Sequence, residues 1–308
     1  MGIINSKALY QSVFDKECAI GGFCTYDMEM MQSVVRAAEL ERSPVLLQAS
    51  CRVIDYAGAK MLRKMAEACA EETDIPLVLH LDHGDTVERC KECIDQGFTS
   101  VMLDCTGKSF EEAVEMTSQV TEYAHRYHAT VEGEICHPVD QPILYITDVD
   151  EAVEFVKRTG CDSLSVCCGN AHDQAPELKK RIDFERLSEI HKALPDVPLV
   201  LHATTVFTDQ MVERLNEYGA EYPHYCNFAI EDIQKTMSYG VCKINAAMDI
   251  KITTTRSIRE YMCKNPGNVD PRAYLGYARD EVRDYVRMKI RDIFRSSGLM
   301  EKREDCSI

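Results

Sequence analysis

The chain lacks any run of about eighteen apolar residues, the length a membrane-spanning helix requires, so nothing in it reads as a span. It is also short of basic residues. Against 51 Asp and Glu there are 35 Lys and Arg, a formal net charge of −16 over 308 residues. No local basic stripe offsets that field, so nucleic acid is excluded as a partner. The same field repels anionic substrates at long range, and any phosphate or carboxylate site must be local. Met1 to Lys16 lacks the charged start, apolar stretch and small-residue cleavage site of a leader, and a cytoplasmic protein is expected. The CxxC of Cys90 and Cys93 has no second CxxC at zinc-ribbon spacing. The 15 cysteines are odd in number and scattered, so reduced thiols are expected rather than a disulfide framework. No low-complexity linker divides the chain, and residues 1–308 read as one domain.

What is present is an alternation. Eight short apolar runs read as strands: Ala19–Phe23, Val45–Ala49, Leu77–Leu81, Ser100–Leu103, Thr130–Glu134, Ser163–Val166, Leu199–Leu201 and Cys242–Asn245. Several are continuously hydrophobic, as strands buried on both faces are. Between them lie amphipathic segments with apolar residues at three- and four-residue spacing: Met28–Glu39, Ala57–Glu72, Thr86–Gln96, Phe110–Tyr127, Val149–Thr159, Asp183–Leu194 and Glu231–Tyr239. Ser109 and Glu112 form a capping box for one of them. Eight β-then-α repeats favour a closed (β/α)8 barrel, an α/β fold of TIM type, over an open sheet. Two additions are expected. A helix at Thr208–Tyr218 begins an insertion over about 208–228 after the seventh strand. Two C-terminal helices, Ile250–Lys264 and Asp280–Arg295, occupy about 250–308 and are joined by a polar turn at Asn265–Tyr274.

In such barrels chemistry sits at the C-terminal strand ends. Strand three ends in His80-Leu81-Asp82-His83, strand four in Asp104 and strand five in Glu132-Gly133-Glu134. Strand six leads to Gly169-Asn170-Ala171-His172, strand seven ends in His202, and strand eight in Asn245 with Asp249 beyond. Three imidazoles with room for substrate oxygens suit catalytic zinc, and neighbouring carboxylates suit proton transfer. Plainer roles compete. His80 reads as core or as support for a ligand, Asp82 could cap a helix, one of Glu132 and Glu134 could be structural, and Asn245 could be a turn residue.

Leu79-His80-Leu81-Asp82-His83-Gly84 resembles the first signature of class II fructose-bisphosphate and tagatose-bisphosphate aldolases. So do Gln48-Ala49-Ser50, Val101-Met102-Leu103-Asp104, Val131-Glu132-Gly133-Glu134, Pro198-Leu199-Val200-Leu201-His202, Lys243-Ile244-Asn245 and Asp270-Pro271-Arg272-Ala273-Tyr274-Leu275-Gly276, in order along nearly the whole chain. The resemblance implies a zinc-dependent aldolase of homodimeric or homotetrameric assembly, acting on a sugar or sugar phosphate. It implies zinc on His83, His172 and His202, with Asp104 and Glu134 near secondary metal positions. It implies that Asp82 moves the proton of the substrate C4 hydroxyl, and that Ser50, Gly169, Asn245 and Asp249 touch substrate. Zinc would act as a Lewis acid on the ketone when the C3–C4 bond breaks, with no lysine Schiff base.

Departures from the family pattern gather at the donor end. The Gly-Gly-Ser-Gly that cradles the C1 phosphate is here Ala203-Thr204-Thr205-Val206. The Thr of Asn-x-x-Thr-Asp is Met248, and Asp173 follows His172 where a glycine is usual. Cys24 replaces an Asn. His137 and Asp140 are the candidates left for a second base. Arg52 and Arg256 are new cations that could hold an anion, or form surface salt bridges. The expectation is reversible retro-aldol cleavage with altered donor specificity. Competing readings are an ordinary ketose-bisphosphate aldolase and a non-catalytic, metal-binding homologue.

Overall fold

A computed structural model describes residues 2–14, 16–140, 144–170, 181–204, 206, 208–223 and 228–300, with backbone alone at 137–140, 144 and 145. A seven-residue helix, α1 (Lys7–Val13), precedes β1 (Ile20–Cys24). Then come β2 (Val45–Ser50), β3 (Leu77–Gly84), β4 (Ser100–Leu103) and β5 (Thr130–Ile135). A two-stranded antiparallel hairpin, β6 (His137–Asp140) and β7 (Leu144–Ile146), follows. β8 (Ser163–Val166), β9 (Leu199–Leu201) and β10 (Val241–Ala246) complete the set. The barrel closes in the order β1-β10-β9-β8-β5-β4-β3-β2, all parallel. All eight predicted strands therefore lie in it. Their interiors are buried throughout, which is why they read as apolar runs rather than alternations.

The helices of the outer ring carry their own start signals. Asp27, Thr86, Ser109, Asp148 and Asp183 each cap a helix through the side chain, and Ser109 and Glu112 complete a capping box. Three stretches differ from expectation. The segment Ala57–Glu72 is a single helix only from Ala59, because a short helix, Cys51–Ala57, breaks off at Gly58. The hairpin β6–β7 had no alternating pattern to announce it. The last long helix spans Pro271–Met288 and starts nine residues earlier than Asp280 (280 − 271), since Asp270 caps it and Pro271 sits in its first turn. The other C-terminal helix spans Met248–Lys264, and the insertion helix Asp209–Glu217. Among the described residues no helix is long and apolar enough to cross a membrane.

Candidate active site

Two neighbours in sequence, Asp82 and His83, both reach the mouth of the barrel. In a regular strand successive side chains point to opposite faces. Here His83 adopts a left-handed backbone, φ 51°, and the pairing with β4 slips between Leu81 and Gly84. Such a conformation costs a non-glycine residue about 1 kcal/mol or more, and its persistence marks a functional position. The kink brings ligand atoms of Asp82, His83 and His202 within 4.8 Å of one another, and likewise those of His83, Asp104 and Glu134.

The hydrogen bonds fix which imidazole nitrogens are protonated. Glu132 Oε1 lies 2.6 Å from His202 Nε2, and Asp104 Oδ2 lies 3.1 Å from His83 Nδ1. A carboxylate can only accept, so those two nitrogens donate. The remaining nitrogens, His202 Nδ1 and His83 Nε2, face one another at 2.9 Å. Two lone pairs at that distance require a cation, either a proton or a metal ion. The donor set of two imidazoles and surrounding carboxylates, each ring oriented by an outer carboxylate, fits a zinc-type ion. His172 and Asp173 lie outside the described residues, as do the side chains of His137 and Asp140.

Electrostatics follow the same geometry. Burial opposes protonation of His83, but Asp82, Asp104 and Glu134 override it and raise its pKa to about 9. Burial also opposes ionisation of Asp82, yet His83, His202 and Lys243 bring it down to about 2. Asp82 is therefore a carboxylate at neutral pH. Gln48 Nε2 and Asn245 Nδ2 each donate to its Oδ1 at 3.2 Å, and the Cys24 thiol faces Oδ2 at 3.7 Å. Gln48 reaches this position because residue 22 is glycine: a Cβ there would stand 2.4 Å from Gln48 Oε1. Beneath the mouth a polar ladder fills the barrel. Lys243 Nζ donates to Glu132 Oε2 at 2.7 Å and meets His80 Nε2 at 3.3 Å, and His80 Nδ1 meets Ser100 Oγ at 2.8 Å. Burial and the adjacent ammonium keep His80 neutral, with its pKa lowered to about 3.

The mouth thus brings together Asp82, His83, Asp104, Glu134, His202 and Asn245. Ser50 is there too, paired in register with Asp82. Gly169 has φ 86°, and a Cβ would stand 2.1 Å from the Arg181 carbonyl, so its backbone conformation alone demands glycine. Arg52 is exposed and makes no ion pair among the described residues. Asp249 and Arg256 are each held by an ion pair. Asp249 is fully buried against Lys289 and accepts from the Tyr285 hydroxyl at 3.1 Å. Arg256 binds Glu260 and Glu281 at 2.7 Å each, tying the two C-terminal helices. Reading the sequence assigned no role to Gln48 or Lys243. Each is the one long polar side chain in an apolar strand, a position tolerated only with a buried partner. The expectation of wholly reduced cysteines is corrected: Cys136 and Cys167 are joined, because adjacent strand ends place them side by side.

Comparison with known proteins agrees with this geometry. The family model for fructose-bisphosphate aldolase class-II matches residues 4–299. The chain belongs to the class II fructose-bisphosphate aldolase family. That family comprises carbon–carbon lyases. A fructose-bisphosphate aldolase of Thermus caldophilus is 38% identical, covering 91% of this chain and 93% of its own length. One from Treponema pallidum (strain Nichols) is 35% identical, covering 97% and 98%. Among solved structures, the YdjI aldolase from Escherichia coli K12 superposes with a TM-score of 0.78 at 26% identity, over 97% of this chain and all of that one. The class II aldolase mouth is therefore the setting in which the buried carboxylate and facing imidazoles are to be understood.

Proposed function

We propose that this class II aldolase is metal-dependent and reversibly cleaves a ketose or related sugar derivative whose donor end differs from a C1-phosphate ketose. The observation that carries the reading is the ionised, triply contacted Asp82 beside the facing ring nitrogens of His83 and His202. In the cleavage direction an Asp82 oxygen takes the C4 hydroxyl proton. The C3–C4 bond then breaks, its electrons move toward the ketone, and the aldehyde leaves. Gln48 and Asn245 hold the carboxylate at Oδ1 and leave its other oxygen toward Cys24 and the mouth. His83 and His202, with His172, would hold a zinc-type ion, which when bound polarises the ketone as a Lewis acid. Glu132 and Asp104 orient the two rings. The same reading includes a homodimer or homotetramer in the cytoplasm, and sedimentation of the purified protein tests the assembly.

The altered donor end is supported by what surrounds β9 and β10. Asp249 is neutralised by Lys289, and the single Tyr285 hydroxyl proton is shared between Asp249 Oδ2 and the Val206 carbonyl, each at 3.1 Å, which links the chain after β9 to a C-terminal helix. An ordinary bisphosphate aldolase is the second reading. It is favoured by the relatives named fructose-bisphosphate aldolase and by Ala203, whose φ of 51° keeps a glycine-like turn directly after His202. Steady-state kinetics on fructose 1,6-bisphosphate and on ketoses without a C1 phosphate separate the two. Efficient, micromolar-range use of the bisphosphate overturns the first reading.

A further inference from the structure

Cys136 and Cys167 are joined across 31 residues of sequence. Each directly follows a barrel strand. β5 ends at Ile135 and β8 at Val166, and those two residues are register partners. The cysteines form the next rung, with Cα atoms 5.8 Å apart, inside the span a disulfide requires. The rung does not depend on the bond. Thr147 N–H donates to the Cys167 carbonyl at 2.9 Å. Its hydroxyl accepts from Cys167 N–H at 2.8 Å and donates to the Ile135 carbonyl at 2.7 Å. Sheet and Thr147 together hold the backbone at both cysteines through contacts that do not involve the sulfurs.

Both strand ends lead to the candidate metal ligands. Glu134 stands two residues before Cys136 and accepts from the Ser165 hydroxyl of β8 at 3.3 Å. Beyond Cys167, Asn170 accepts from Cys168 N–H at 2.7 Å and donates to the His202 carbonyl at 3.1 Å. A tether between Cys136 and Cys167 therefore restrains the backbone of Glu134 on one side and of His202 on the other. Cys136 is half-buried, lining a narrow cleft with Lys108 and Glu134, whereas Cys167 is buried. A small thiol or disulfide meets Cys136 first.

We propose that Cys136–Cys167 is a reversible modification site, exchanged with a low-molecular-weight disulfide and its thiol, and that the bonded state tightens metal binding at the mouth. On oxidation the Cys136 thiolate attacks the small disulfide, releases one small thiol and forms a mixed disulfide. The Cys167 thiolate then attacks the Cys136 sulfur and releases the second. Two electrons pass from the cysteines to the oxidant, and the two protons go to the released thiols. The metal half of this inference rests on the proposed metal reading; the bond itself does not.

The test uses the full-length protein equilibrated in oxidised and in reduced glutathione. Thiol alkylation and peptide mass spectrometry read the bond, and competition with a chelator reads Zn²⁺ affinity. The expected result is a Cys136–Cys167 cross-link in the oxidised buffer, two alkylated cysteines in the reduced one, and affinity roughly tenfold lower on reduction, the scale of losing support around a ligand. Cys136→Ser should show the lower affinity in both buffers, and Cys167→Ala serves if it fails to fold. Alkylation of both cysteines in every buffer overturns the modification site. A cross-link with equal Zn²⁺ affinity in the two buffers, or a Cys136→Ser variant as redox-responsive as the parent, overturns the coupling. Failure to bind Zn²⁺ in either buffer also overturns the coupling, and in that case the metal reading fails too.

Discussion

On the β3–β5 side of the barrel mouth, residues at the strand ends project directly into the site: Asp82 and His83 meet His202 from β9, and His83 also meets Asp104 and Glu134. Beyond the ends of β9 and β10, the residues that differ from the family's donor-phosphate pattern have partners outside the barrel. Asp249 is sealed against Lys289, and the Val206 carbonyl meets the Tyr285 hydroxyl of the C-terminal helix. The first side depends on barrel geometry, which any chain of this fold reproduces. The second depends on loop backbone and on outer helices, which can be rebuilt without disturbing the barrel. The proposed reading makes chemistry and specificity separable, and variants on the two sides test that separation.

Removing the proton-transfer group should have the largest effect. Asp82→Asn is expected to lower kcat by roughly 10²–10⁴-fold while Zn²⁺ binding, read by chelator competition, persists. A variant that retains full kcat would show that a group other than Asp82 takes the C4 hydroxyl proton. On the other side, Lys289→Met should cost about 3–5 kcal/mol of stability in urea unfolding, because it leaves a buried carboxylate unpaired. Adding Asp249→Leu to it should recover most of that loss. No recovery would mean that Asp249 has a role beyond the ion pair.

The pH dependence of stability compares the two imidazoles of β3. His80 has its pKa lowered to about 3, so the unfolded chain takes up this proton near pH 6.5 while the folded chain refuses it. Stability should fall as pH drops from about 6.5 toward 3. Asp82, lowered to about 2, adds to that loss below about pH 4. His83 acts at the other end. Raised to about 9, it contributes stability that is complete below about pH 6.5 and is lost as pH rises through 9 in metal-free protein. Thermal melts of the metal-free protein should show both limbs, and His83→Gln should flatten the alkaline limb and weaken the Asp82 part of the acid limb below about pH 4, while leaving the His80 part. The smallest effect is expected at Ala203. Its left-handed backbone predicts that Ala203→Gly gains up to about 1 kcal/mol, read in the same unfolding assay.

Legibility in the sequence followed the same division. Ser100–Leu103, Ser163–Val166 and Leu199–Leu201 coincide with predicted strands, because doubly buried strands must be short, apolar and bounded. The strand-end residues placed at the mouth were readable for a related reason, since barrel topology converts a position at a strand end into a position in space. For Asp249 and Arg256 the partners were not readable, although a salt bridge was one of the two roles open to Arg256. A sequence displays a charge but not its partner, and Lys289 lies 40 residues from Asp249 and Glu281 25 from Arg256. Cys136 and Cys167 escaped similarly, for only the order β5–β8 makes them neighbours. Pro271 had carried a local signal: Asp270 followed by proline is a helix start, and the polar composition around it masked the cap.

The central claim is that the metal and proton-transfer side is intact while the donor side is changed. One measurement tests it most directly: kcat/KM of the zinc-loaded protein, with and without chelator, for fructose 1,6-bisphosphate beside ketose monophosphates, unphosphorylated ketoses and acid sugars. The account predicts chelator-sensitive cleavage with a substrate lacking the C1 phosphate preferred over the bisphosphate. Preference for the bisphosphate would contradict the altered donor end, and cleavage indifferent to chelator would contradict the metal site.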